Sequence, residues 1–157
     1  NYAGTLLPGI REYTVTPGEK TTTISGKGKA GLKQEENYYF FYLPVCYKGI
    51  TGKSYAYYNT SRSKNLYLPA SVDENYSYDI QLPENLTLCT PIQEKKIDNP
   101  IGSFKITLTS EGSSLHIELA LQIKKQLITP AEYPAFRSLI TEWTDRTRKP
   151  ILFKTVQ

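Results

Sequence analysis

The chain has 157 residues, which fits one ordinary domain, or a domain with an added segment, and can bury a core without a metal or disulfide staple. Thirteen tyrosines, one tryptophan and no methionine favour pleated sheet over helix. The net charge of +4 is spread thinly, with Lys27, Lys29 and Lys33 in one loose group and Arg146, Arg148 and Lys149 in another, which reads as solvated loops and a helix end and excludes a nucleic-acid surface.

Residues 1–35 read as a weakly specified N-terminal segment, either a connection or extra strands. "TPGEK" (16–20) and "SGKGKAG" (25–31) are turn or loop signals, and "REYTV" before the first and "KTTTI" between the two are short strand candidates. From Glu36 the composition shifts, and residues 36–157 read as the main domain. "NYYFFYLPVCYK" (37–48) alternates two apolar faces: Tyr39, Phe41, Leu43, Val45 and Tyr47 on one, Tyr38, Phe40, Tyr42 and Cys46 on the other. Such a strand is covered on both sides or carries an exposed tyrosine face. Pro44 lacks an N–H, so the strand breaks, bulges or lies on an edge there.

"SYAYYN" (54–59), "NLYLP" (65–69) and "NLTLCTP" (85–91) are further short strands. In "NYSYDIQLP" (75–83), Tyr76, Tyr78, Ile80 and Leu82 alternate with polar residues, the pattern of a half-buried strand. "SFKITLTS" (103–110) and "SLHIELALQIKKQL" (114–127) form the clearest pair, joined by "EGS" as a hairpin. Leu115, Ile117, Leu119, Leu121 and Ile123 mark a core face.

A helix over 130–148 follows. Thr129 and Glu132 have capping-box spacing with Pro130 between them. Pro134 costs a hydrogen bond if it lies deep in the helix, so a first turn over 130–133 leads into a helix from Pro134. Tyr133, Phe136, Ile140, Trp143 and Thr147 recur at helical spacing, flanked by Leu139. Arg146, Arg148 and Lys149 suit the C-terminal dipole, Pro150 stops the helix, and "ILFKT" (151–155) returns as a strand. The pattern is a mainly β protein: an antiparallel β-sandwich with one amphipathic helix near the C-terminus. Its core would unite Phe104, Ile106, Leu115, Ile117, Leu119, Phe136, Ile140 and Trp143.

Chemistry-bearing motifs are sparse. The single histidine, His116, falls on the polar face of the long strand, where a surface role outweighs catalysis. Cys46 and Cys89 match no zinc spacing and open no helix that would activate a thiol. They read as separate strand-borne residues, and an oxidising compartment would allow them to pair. The carboxylates at Glu35, Glu36, Asp73, Glu74 and Asp79 lie near turns or on wet faces. "GKGKAG" lacks phosphate-loop spacing. The triplets at Asn59, Asn75 and Asn85 would matter only in a eukaryotic secretory setting. "ITGKSYAYYNTSRSKN" sets tyrosines beside basic residues, so Tyr55, Tyr57, Tyr58 and Arg62 are a candidate surface for stacking on sugars, set against ordinary sheet packing. No cofactor or metal set is evident, no apolar run has membrane-spanning length, and no signal peptide opens the chain. The start at Asn1 and the lack of any methionine suggest an excised piece of a longer protein.

Residues 38–157 carry a family resemblance. "YYFFYLP", "NLYLP", "YDIQLPENLTLCTP", "NPIGSFKITLTSEGSSLHIELALQI", "ITPAEYPAFRSLI" and "PILFK" follow in an order that resembles the C-terminal domain of bacterial transglutaminase-like proteins, found especially in Bacteroidetes. The resemblance implies an exported multi-domain protein with an N-terminal β-rich domain and a papain-like transglutaminase core, and a periplasmic or cell-surface location. It implies a non-catalytic accessory role for this chain, with that core as its partner, or a protein or glycan of the cell envelope. No segment matches the core, so no catalytic residue is carried over. The expectation is an accessory domain, with a tyrosine-based carbohydrate-binding module as the alternative.

Overall fold

The computed structural model describes residues 10–19, 21–29, 31–43, 50, 58, 60–145 and 150–156. The twelve strands among them are β1 (Ile10–Pro17), β2 (Thr22–Gly28), β3 (Lys33–Glu35), β4 (Tyr38–Tyr42), β5 (Leu66–Tyr67), β6 (Val72–Gln81), β7 (Leu86–Leu88), β8 (Gln93–Asn99), β9 (Gly102–Glu111), β10 (Ser114–Ile123), β11 (Leu127–Ile128) and β12 (Pro150–Thr155). One helix, α1 (Tyr133–Thr144), lies between β11 and β12. The strands build two four-stranded antiparallel sheets, ordered β6-β10-β9-β8 and β3-β4-β12-β7, and two ribbons, β1-β2 and β5-β11.

The first sheet follows from alternation. Ile117 of β10 stands opposite Tyr78 of β6 and Leu108 of β9, so the apolar side of all three strands is shared. Leu115, Ile117, Leu121 and Ile123 are at most 1% exposed. Burying each such side chain contributes about 1.5–3 kcal/mol relative to leaving it in water. The β9–β10 turn is the two residues Gly112 and Ser113, and only Gly112 has a positive φ, at 57°. A positive φ at the first central residue alone is the type II′ pattern, which favours glycine there. At the other end of β9 the backbones close in: a Cβ on Gly102 would lie 1.8 Å from the Gln122 carbonyl oxygen.

Strand β8, "QEKKIDN", is absent from the reading of the sequence because Ile97 is its sole aliphatic. It is nevertheless the edge of the first sheet, and its inward Lys95 pairs with Glu142 of α1. A charged edge strand also resists pairing with other chains. At the opposite edge, the inward Glu74 of β6 accepts the Ile50 N–H at 2.5 Å and the Tyr76 hydroxyl at 3.2 Å.

The helix covers this sheet. Phe136, Leu139 and Ile140 are fully buried, and Trp143, 6% exposed, meets Phe104 edge-on with ring centroids 6.5 Å apart and Tyr76 at 5.8 Å. Every residue expected in the shared core lies in one buried cluster, together with Ile151 and Phe153 of β12 and Leu86 of β7. Both sheets therefore contribute to one core, and the molecule is mainly β with antiparallel sheets and one helix near the C-terminus.

Helix α1 is shorter than the expected 130–148. Residues 130–132 form a turn, Pro134 occupies the first helical positions where its missing N–H costs nothing, and Asp145 leaves the helix with ψ at 108°. Arg146, Thr147, Arg148 and Lys149 lie outside the described residues. Half of the capping box forms: the Glu132 carboxylate accepts both the Thr129 N–H and its hydroxyl at 3.0 Å, and also meets Lys125. Lys125 first, and then the Thr129 groups, lower its pKa to about 2. Asn99 ties the same helix start to the sheet: its Nδ2 donates to the Ala135 carbonyl, and its Oδ1 accepts the Ile101 and Gly102 N–H groups.

Two expectations change in detail. The strand read over 114–127 ends at Ile123. Lys124 donates its N–H to the Ile101 carbonyl, and Leu127–Ile128 then pairs with β5, so the fully buried Ile123 belongs to the first sheet and Ile128 to the β5-β11 ribbon. "SGKG" (25–28), read as loop, continues β2, because Ser25 to Gly28 stand in register with Thr14 back to Ile10. Strand β3 pairs with β4 through a turn at Glu36 and Asn37.

Candidate functional site

The candidate tyrosine surface divides between described and undescribed residues. Tyr55 and Tyr57, and most of the strand read over 54–59, lie outside the described residues; so does Cys46. Tyr58 and Arg62 are both half-buried at the start of α1. Tyr58 meets Phe136 edge-on, with centroids 5.5 Å apart, and its carbonyl accepts the Tyr133 hydroxyl at 2.6 Å. The Arg62 guanidinium stands 5.7 Å over the Tyr133 ring. These contacts fasten the preceding loop to the helix, and neither residue offers a flat exposed platform. The partners are about 75 positions apart in sequence, beyond what local spacing can indicate.

The polar face of the first sheet carries the charged network. Register places Asp79 of β6 and Thr109 of β9 on either side of His116. His116 Nδ1 lies 2.7 Å from the Asp79 carboxylate, and Nε2 lies 3.3 Å from Glu118, which also meets Lys105 at 2.9 Å. The hydrogen bond to Asp79, then that to Glu118, raises the His116 pKa. Lys105 first, then His116, lowers that of Glu118. An imidazole set between two carboxylates is favoured as the imidazolium, which cannot take a proton from a nucleophile. A shallow depression of about 300 Å³ adjoins it, lined by Asp79, Gln81, Thr109, Ser114 and His116.

Cys89 is a half-buried free thiol whose Sγ lies 4.0 Å from the Thr87 carbonyl. Its backbone N–H donates to the Leu152 carbonyl, so the segment after β7 braces β12. Among the described residues no group of three or more His, Cys, Asp or Glu could hold a metal ion, and no helix is long and apolar enough to cross a membrane.

The third place is the second sheet. Tyr39 and Phe41 of β4 pack against the core, while Tyr38 and Tyr42 are 46% and 52% exposed on the outer face. Of the two possibilities left by the sequence, the exposed tyrosine face is the one observed.

Residues 37–153, from the turn before β4 into β12, match the family described as a Domain of Unknown Function with solved structure, DUF3858. The chain belongs to the DUF3858 family. The match takes in the first four-stranded sheet, α1, and β4, β7 and most of β12 of the second, whereas β1, β2 and β3 precede it. This DUF3858 chain is also similar to part of a solved structure from Parabacteroides distasonis described as a "putative protease", with 31% identity and a TM-score of 0.69. The similarity covers 78% of this chain and 24% of that one, so the DUF3858 chain spans about a quarter of that protein's length. Among proteins with curated descriptions, none matches the sequence.

Proposed function

We propose that this chain is a non-catalytic C-terminal accessory domain of a longer, exported, transglutaminase-like protein. It packs on or orients the papain-like core, or holds that core's protein or cell-envelope substrate, in the periplasm or at the cell surface. The observation that carries the reading is the 31% identity to a stretch making up 24% of a protein described as a "putative protease". The chemistry of the chain supports it: His116 is engaged by Asp79 and Glu118, and Cys89 sits beside a backbone carbonyl. Neither arrangement sets a base against a nucleophile.

The test compares the full-length protein with a form that ends before this domain, on a short peptide and on a whole-protein substrate. The reading predicts short-peptide turnover within about twofold, and a KM on whole protein raised about tenfold, the signature of lost binding rather than lost chemistry. Loss of short-peptide turnover in a folded truncated form, or turnover by the 157-residue chain alone, would contradict it.

A further inference from the structure

The two sheets treat their outer faces differently. That of the first sheet is polar: Asp73, Asn75, Ser77 and Asp79 on β6, His116 and Glu118 on β10. The outer face of β4 carries Tyr38, Phe40 and Tyr42 in a row, with Leu152 and Pro150 of β12 opposite Phe40 and Tyr42. A molecule that builds one wet face and leaves the other aromatic exposes an apolar patch of the kind that marks an interaction site. We propose that this face, centred on Tyr38, Phe40 and Tyr42, docks the domain against the preceding part of the same longer polypeptide. The proposal rests on the accessory-domain reading and names the surface through which that role is exercised.

Three observations select this occupant. Of the nine large hydrophobic residues exposed among the described residues, Val15, Ile24, Leu32, Tyr38 and Tyr42 all lie between positions 15 and 42, at or before β4. Among the described residues the β1–β2 hairpin pairs only within itself, every residue of β2 is exposed, and Val15 stands opposite Ile24. A two-stranded hairpin is marginal alone in water. It leads within a few residues into β3, the edge of the very sheet that carries the aromatic row, so one neighbouring body on that side would cover both. The similar Parabacteroides chain extends well beyond the matched 24%, so a body of that kind has a structural precedent.

The face also has chemical detail. Lys33 Nζ lies 5.7 Å over the Tyr42 ring, and Lys154 stands opposite Tyr38. A cleft of about 440 Å³ beside Tyr38, lined by Thr87, Lys154 and Val156, has room for a side chain of the partner. The complementary surface is an apolar patch rimmed by carboxylates that reach the two lysines. Phe40 and Tyr42 meet edge to face at 88°, so they form no coplanar platform for a sugar.

Tyrosine nitration read peptide by peptide tests the docking face in the full-length protein and in the 157-residue chain. Tyr67, 68% exposed on the β5–β11 ribbon, is the internal control. The expected result is nitration of Tyr38 and Tyr42 at least about fivefold slower in the full-length protein, as an interface core excludes water, with Tyr67 unchanged. Replacing Phe40 and Tyr42 by serine in the full-length protein should restore fast nitration of Tyr38. The same double variant of the 157-residue chain, melted alone, should keep its cooperative transition. Equal nitration of Tyr38 and Tyr42 in both proteins would overturn the docking face while leaving the accessory reading standing. Protection already present in the 157-residue chain would overturn it too, by showing that the chain or a second copy covers the face. A full-length protein with no protease-like region ahead of this domain would remove the accessory reading and the docking proposal together.

Discussion

His116 shows at the scale of one residue what a strand pattern can and cannot convey. Alternation with Leu115 and Ile117 placed it on the polar face. The facing Asp79 depends on the register between β10 and β6, a pairing across 37 positions that no local pattern encodes. The consequence is measurable. Asp79, first, and Glu118 favour the protonated ring, so folding raises its pKa above the ordinary 6.5. The stabilisation is complete below the ordinary value and is lost as pH rises through the raised folded-state value. An NMR titration of the histidine ring should find the folded pKa above 6.5, and Asp79→Asn should bring it down. The variant should cost more stability at pH 5 than at pH 9. An unshifted titration in the native protein would contradict the geometry. Tyr58 and Arg62 teach the same lesson, since their candidacy rested on neighbours in sequence, whereas their contacts are with Tyr133 and Phe136 of a distant helix.

The elements that were legible are those whose burial is written in aliphatic alternation. β6, β9, β10 and β12 were readable because each turns every second side chain toward the core, and α1 because Tyr133, Phe136, Ile140 and Trp143 return on one face. β8 was not, because its inward positions are Gln93, Lys95, Ile97 and Asn99, and two of these are accommodated by polar contacts to the helix. β2 was obscured by glycines that pairing with β1 overrides. The second face of β4 was ambiguous, since a period of two identifies an apolar face without saying what covers it. The helix is a structural cover with Trp143 as its largest anchor. Trp143→Ala should destabilise the protein by about 3–5 kcal/mol, through lost burial and the cavity left beside Phe104 and Tyr76. Denaturant unfolding checks this, and a change below about 1 kcal/mol would mean the indole is not held in the core as described.

The whole molecule is one core fed by two sheets and a helix, preceded by a hairpin with no partner among the described residues. The mainly β fold was legible because the apolar positions of one core recur through most of the sequence, and the resemblance is met by a domain-of-unknown-function family and a structure from a Bacteroidetes species. The candidate site was not, since a docking face is defined by what is absent from it. The central claim is that the chain contributes surface rather than chemistry to a longer protein. Its two cysteines and single histidine make a sharp test possible, because Cys46→Ser, Cys89→Ser and His116→Gln together remove every thiol and imidazole it could supply. The most direct measurement is the turnover of the full-length protein carrying all three substitutions. The account predicts a rate within about twofold of the unaltered protein; a loss beyond about a hundredfold with the fold intact, the scale of removing a general base, would contradict it.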